Sequence, residues 1–415
     1  MALTFKLTIV GGPGRFSKGK DGKGTKGFYL KKYSFSTFLL PKDLWLYYLY
    51  FMKIAEIVSV LENLAHPSLQ EPYDNAGLIT GDQSWECSGI LVTLDATEEV
   101  ITEAGVKNCN LIVAHHPIIF SGLKKITGKN YVEKAVIAAI KNDIAIYAIH
   151  TNLDNIITGV NGKIATLLGL ENISVLSSKE NILKKLFTFV PVNEAALVRN
   201  AIFEAGGGHI GNYSECSFNA GGTGTFKAGE TTNPFAGKTG VQHKENEIKI
   251  EVIFPAWLEK NIIHSLLAVH PYEEVAYDII SLENSFRETG SGIIGELKDP
   301  EEETDFLSKL KKIFNLSVIK HTPLKGPFVK KVAVCGGAGS FLIPKALTAR
   351  ADFFITSDIK YHEFFDANNR MVIADIGHYE SEQFTIDLLK DVLAQKFPTF
   401  AVLKTEVNTN PVRYY

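Results

Sequence analysis

Apolar residues recur at helical spacing from Ile54 onward, at Ile57, Val58, Leu61 and Leu64, and predict a helix over 52–66. Tyr73-Asp74-Asn75-Ala76-Gly77-Leu78 then reads as a turn-rich loop. The next segments alternate. A short apolar strand over 88–95 ends in Asp95, and a helix over 97–106 follows with Thr97 as its N-cap and Glu98 and Glu99 in its first turn. A buried strand at 111–114 runs straight into His115-His116-Pro117. A helix over 131–141 leads to a third strand at 144–149, which ends at His150. Strands alternating with helices of about 10 residues predict βαβ crossovers in a largely parallel sheet, an α/β fold. The polar residues gather beyond the carboxyl ends of the strands, where open α/β sheets place ligands.

The C-terminal part repeats this rhythm. A strand at 332–335, a glycine loop at 336–340 and a helix at 341–349 precede a strand at 353–356 that ends in Ser357-Asp358. The strand at 371–375 leads into Gly377-His378, and 381–395 predicts a closing helix. Both ends thus read as two similar α/β lobes facing each other and forming one domain, 52–175 with 289–415. The intervening 176–288 changes character. Its order β-α-β, a Gly/Thr/Ser-rich stretch, then β-α-β predicts an inserted ferredoxin-like α+β domain, with entry and exit close together. Gly206-Gly207-Gly208 within it reads as a hairpin or bulge.

Residues 1–51 differ from the rest. The stretch 15–32 is rich in Gly and Lys and cannot build a core, and the apolar run at 44–51 is far shorter than the roughly 20 residues of a membrane helix. The abrupt change at Met52 leads us to expect that the natural protein starts there and that the unstructured basic leader is a start-site artefact. A basic tail that touches a partner is the rival reading. At 415 residues the chain exceeds one ordinary core. The net charge of -3 argues against a chain-wide nucleic-acid surface. Four widely spaced cysteines without a CxxC pair fit neither a disulfide framework nor a thiolate zinc site, and suit a reducing cytoplasm. Any metal is therefore left to imidazole and carboxylate.

Three segments carry such groups. Adjacent His115 and His116 follow a strand end, where the pair can splay so that each imidazole faces a different metal. His378 and Glu382 stand four residues apart on one helical face, and a glutamate can offer both oxygens, which makes Glu382 a candidate bridge between two cations. In His150-Thr151-Asn152-Leu153-Asp154, either His150 or Asp154 is a ligand candidate, or His150 orients one. Asp358 and His362 form a rival pair with the same spacing. Spacing alone does not rank these pairs. Gly336-Gly337-Ala338-Gly339-Ser340 is open to two readings, a phosphate-binding turn or a plain tight turn from strand to helix.

The segments 73–78, Ala114-His115-His116-Pro117, 150–154 and Gly377-His378-Tyr379-Glu380-Ser381-Glu382 together resemble the motifs of the NIF-three-like family, often described as GTP cyclohydrolase I type 2 homologues. The resemblance runs from about Met52 to Tyr415. It implies a dinuclear site of His115, His116, Asp154, His378 and Glu382, with Glu382 bridging and with His150, Asp358 and His362 lining the pocket. It also implies an insert resembling PII and CutA trimerising domains, which His270-Pro271-Tyr272-Glu273-Glu274 fits, and a ring-like homohexamer with metal sites facing an internal cavity.

Two divalent cations on mixed His and carboxylate ligands suit Zn, Fe, Mn or Co. The resulting expectation is a metal-dependent hydrolase acting on a small molecule through a metal-bound hydroxide, with Asp95, His150, Asp358 and His362 as candidates to shuttle a proton. The alternative is a non-enzymatic metal-handling or regulatory binding protein.

Overall fold

The structure is a computed structural model that describes residues 52–415, so the expectations for 1–51 lie outside the described residues. The helix Ile54–Leu64 opens it, burying Ile54, Ile57, Val58 and Leu61 as the spacing predicts. Strands β1 (Gly77–Thr80), β2 (Ile90–Thr93), β3 (Leu111–Ala114) and β4 (Ala145–Ala148) follow, with helices Glu98–Val106 and Tyr131–Lys141 as crossovers. The Thr97 hydroxyl accepts from the Val100 amide, capping the first crossover as expected. β5 (Leu170–Lys179) leads into β6 (Leu183–Pro191), β7 (Phe218–Lys227), β8 (Gln242–Pro255) and β9 (Tyr277–Ser281), and the chain returns along β10 (Phe286–Glu302). β11 (Lys320–His321), β12 (Phe328–Ala338), β13 (Phe353–Ser357), β14 (Val372–Asp375) and β15 (Val402–Lys404) complete the described strands.

These strands form three sheets. The first has the order β1-β4-β3-β2-β15, with β1 antiparallel to β4 and the other pairs parallel. The second has the order β11-β14-β13-β12-β10-β5. Its central strands β12, β13 and β14 are parallel, and β11 runs antiparallel at the β14 edge, as β1 does at β4. β2, β3 and β4 are buried at every position, which explains their continuous apolar sequence. Alternate residues go to opposite faces. Ile90, Val92, Leu111, Val113 and Tyr147 join a core shared with Val332, Val334, Phe353 and Ile355 of the second sheet and with helices that include Val160–Leu168 and Glu303–Phe314. Leu91, Ile112 and Ile146 join a separate core under the crossover helices. The site residues sit where the two sheets, through that shared core, bring their strand ends to one cavity.

The third sheet is antiparallel with the order β7-β8-β6-β9 and carries its own core with helices Ala195–Glu204 and Glu259–Val269. β5 and β10 pair antiparallel within the second sheet, Phe286 opposite Lys179, so the chain leaves and re-enters along neighbouring strands. The expected limits 176 and 288 fall inside those strands, because the exposed positions of β5 at the sheet edge read like the segment that follows. Gly206-Gly207-Gly208 closes helix Ala195–Glu204 rather than forming a hairpin: the Gly206 and Gly207 amides donate to Phe203 and Ile202 carbonyls. The glycine segment 336–337 belongs to β12 itself, and the expected helix 341–349 is split into a 3-10 turn and the helix Ile343–Thr348. No helix among the described residues is long and apolar enough to cross a membrane.

Candidate metal centre

β3 ends at Ala114, and the chain bends over the next two residues while staying bonded to the β2 side. The His115 and His116 amides donate to the carbonyls of Thr93 (3.2 Å) and Leu94 (2.9 Å). Two consecutive amides turned to one neighbour break the alternation of the strand, so both imidazoles come to one site, with ring centroids 4.9 Å apart and planes inclined by 45°. His115 is fully buried, and its Nδ1–H donates to the Ile149 carbonyl at 2.8 Å. This bond fixes the tautomer and leaves the Nε2 lone pair facing inward. His378 and Glu382 lie on the short helix His378–Glu382, and Asp154 ends the short helix Thr151–Asp154.

Glu382, 3% exposed, stands at the centre. Its Oε2 accepts from His116 Nε2 (3.0 Å) and lies 3.1 Å from His378 Nε2, while its Oε1 lies 3.9 Å from His115 Nε2. Asp154 Oδ1 lies 3.6 Å from His115 Nε2. Both of those last atoms are shielded from water and have no hydrogen-bond partner. A buried acceptor without a donor costs about 1–3 kcal/mol, so two of them converging on one point ask for a cation between them. The outer nitrogens are held as well. His116 Nδ1 donates to Asp95 Oδ1 (2.8 Å) and His378 Nδ1 to Asp358 Oδ2 (2.6 Å), the carboxylate–imidazole support that metal-binding histidines use. These imidazole and carboxylate donors could hold a metal ion.

The electrostatics agree with a site built for positive charge. Burial pushes the His115 imidazole down to about 3, so it is neutral. Burial also opposes charge on His116, but bonds to Asp95 and Glu382 hold it up to about 10. His378, against the same burial cost, is raised to about 9 by Glu382 and Asp358. Glu382 is lowered despite burial by those two imidazoles, whereas burial and then the Glu382 charge hold the Asp154 carboxyl well above its usual range. The protons on His116 and His378 thus lie among three carboxylates, Glu382, Asp95 and Asp358.

A cavity of about 700 Å³ opens above, lined by His116, His150, Asp154, Asp358, His378 and Glu382 among others. His150 is brought in too: one nitrogen each of His115, His116 and His150 lie within 4.8 Å of one another, and a second such group is His116, His378 and Glu382. His150 Nδ1 donates to Asp74 Oδ1 (2.8 Å), and Asp74 also accepts from the Thr151 hydroxyl. His362 is not brought in. It is exposed on a 3-10 turn against Tyr361 and Phe365, and the left-handed backbone at Asp358 (φ 56°) breaks the helix that would have aligned the pair. The sequence reading gave no role to Asp74, although it lies in a turn motif singled out there. It also passed over Thr409, whose hydroxyl donates to Asp95 Oδ2 at 2.6 Å. The plain tight turn from strand to helix is borne out, since β12 ends at Ala338 and a 3-10 turn opens at Ser340 ahead of the helix Ile343–Thr348. Gly337 (φ 64°) donates its amide to Ser381 Oγ (3.0 Å), and a Cβ there would stand 2.3 Å from Glu382 Oε1. The glycine makes room for the central carboxylate.

An α/β protein with paired strand-end histidines and a shared buried glutamate is the class that the fold and the site define. The model of the Duf34/NIF3 (NGG1p interacting factor 3) family matches residues 52–411, and the chain belongs to that family. It is 38% identical over 371 residues to a GTP cyclohydrolase 1 type 2 homolog of Halalkalibacterium halodurans, covering 88% of this chain and 100% of that protein. A protein of the same name from Bacillus subtilis is 34% identical over 369 residues, with 86% and 98% covered. Among solved structures, a Bacillus cereus protein related to NIF3 superposes with a TM-score of 0.77 at 36% identity, over 88% of this chain and 100% of that one.

Proposed function

We propose that the chain is a metal-dependent hydrolase with a dinuclear centre held by His115, His116, Asp154, His378 and Glu382. The observation that carries this reading is Glu382, whose two oxygens face different imidazole sets, with the orphaned His115 Nε2 and Asp154 Oδ1 beside one of them. Two divalent cations there would acidify a water and polarise a substrate oxygen. The residues of the chain do the rest. Asp95 and Asp358 hold His116 and His378 in orientation. His150, with its Nδ1–H fixed on Asp74, keeps Nε2 free on the cavity side to take and return a proton. The cavity size admits a nucleotide-sized molecule, and the name carried by the relatives makes GTP the first substrate to try. The third sheet, read as strands 1 to 4, has the order 4-1-3-2, and we read it as a ferredoxin-like insert between two α/β lobes. A homohexamer is the assembly we propose for the full chain.

The test is a substrate screen with GTP and phosphoesters on protein reconstituted with Zn, Fe, Mn or Co, beside Glu382→Ala and His150→Ala. Turnover lost in Glu382→Ala together with its metal, and lost in His150→Ala with its metal retained, supports the assignment. Metal retained in full by Glu382→Ala would overturn the dinuclear reading. Wild-type protein that loads two cations and turns over no substrate would favour a metal-handling role.

A further inference from the structure

A second cavity lies far from these residues in sequence, on the third sheet. In β8 the side chains of Ile248, Ile250, Val252 and Phe254 enter the core under the two helices, so Glu247, Lys249 and Glu251 point to the opposite face. On that face is a cavity of about 650 Å³ walled by the rings of Phe189, Phe226, Phe235 and Tyr272. Glu247 lines it and is only 8% exposed. The Tyr272 hydroxyl donates to Glu247 Oε1 at 2.7 Å, and a carboxylate with about four acceptor sites retains capacity for further N–H donors.

The neighbouring strand is shaped around this carboxylate. β7 reads Phe218-Asn219-Ala220-Gly221-Gly222-Thr223-Gly224, a composition that weakens a strand and marks the close approach of another group. A Cβ on Gly224 would meet Glu247 Oε2 at 2.2 Å, so glycine is needed to seat the carboxylate. Gly222 lies directly across from Glu247, and a Cβ there would meet nothing within 4 Å. It faces open cavity. The wall carries Glu247, Glu273 and Glu274 against Lys249, and Lys249 is already held by Glu251 Oε1 (2.8 Å) and by the Phe187 ring, 4.3 Å from its Nζ. The Glu273 carboxylate accepts from the Asn233 amide at 3.0 Å and fastens the loop that carries Phe235 to this wall.

We propose that this cavity binds a small flat organic cation of the amidinium or guanidinium class. Its plane lies among the Phe226, Phe235 and Tyr272 rings, and its paired N–H groups meet Glu247. Aromatic faces attract such a cation, and a planar fork matches a carboxylate bidentately. This assignment is independent of the metal centre and accounts for the 270–274 motif, which the proposed hydrolysis does not use.

Titration of the full, metal-loaded chain with benzamidine, followed by calorimetry, tests it. Saturable binding is expected, with neutral benzyl alcohol failing to bind. Glu247→Gln should weaken benzamidine at least about tenfold, as loss of a charge-assisted bond does. Gly222→Phe, which fills the cavity from a position with room for a side chain, should abolish binding while the thermal unfolding midpoint stays near wild type. Equal affinity in wild type and Glu247→Gln, undiminished binding in Gly222→Phe, or no binding by wild type would each overturn the proposal. If wild type gives no heat and Gly222→Phe dissociates an oligomer, the face belongs to a second copy of the chain.

Discussion

The first two sheets are both mixed, with a parallel centre, and they carry different chemistry. After β4 comes His150 with Asp154 four residues on, and after β14 comes His378 with Glu382 four residues on, each acid ending a short helix. Asp95 follows β2, two strands from β4, and Asp358 follows β13, adjacent to β14, and each supports one imidazole of its own sheet. The resemblance stops there. The first sheet adds His115-His116 after β3, whereas the second places Gly336-Gly337 near the end of β12, where a side chain would strike Glu382. One half therefore supplies most of the nitrogen donors, and the other supplies the central carboxylate and the space around it. The halves also differ in exposure: the His378 side chain is 40% exposed and that of His115 is sealed. Which sheet holds a given ligand is left to individual residues.

The largest expected effect comes from removing what joins the halves. Glu382→Gln withdraws the charge that both His116 and His378 pair with, and metal content measured after reconstitution should fall from two cations per chain to none. Retention of one cation would show that one of the two proposed positions holds metal without Glu382. Supporting carboxylates should matter less and unequally. Asp95→Asn and Asp358→Asn should each weaken metal retention by about 10- to 100-fold in a chelator competition. Asp95→Asn should be the more severe, because Asp95 is the less exposed of the two, 33% against 52%. A larger loss in Asp358→Asn would reverse the ranking of the two halves. A further effect is one of pH. His116 and His378, raised to about 10 and about 9, carry protons at neutral pH that a cation must displace, whereas His115, lowered to about 3, carries none. Metal uptake should therefore release protons, and affinity should climb as pH rises from 6 toward 9. Calorimetry in buffers of different ionisation heat reads that release, and a pH-independent affinity would contradict the charge assignment.

Much of the fold was legible because burial on both faces leaves a continuous apolar record. β2, β3, β4, β13 and β14 are such runs, and each was read from its residues. Less legible was β5, an edge strand with a solvent-facing pattern, and so the limits of the third sheet were read inside its neighbour. The His378/Glu382 pair was legible for a local reason, since four residues make one helical turn. The same arithmetic misled at Asp358 and His362, where a left-handed residue interrupts the turn.

The sequence by itself determined the alternation of elements, the strand-end position of each candidate ligand and the imidazole–carboxylate character of the site. These follow from periodicity and residue type, which are local. Only the tertiary structure decided that His116 meets Glu382 across 266 residues, that Asp74 holds His150, and that Gly337 yields its side-chain volume to a carboxylate. Such contacts depend on how two sheets settle on one shared core, and no spacing along the chain encodes that distance.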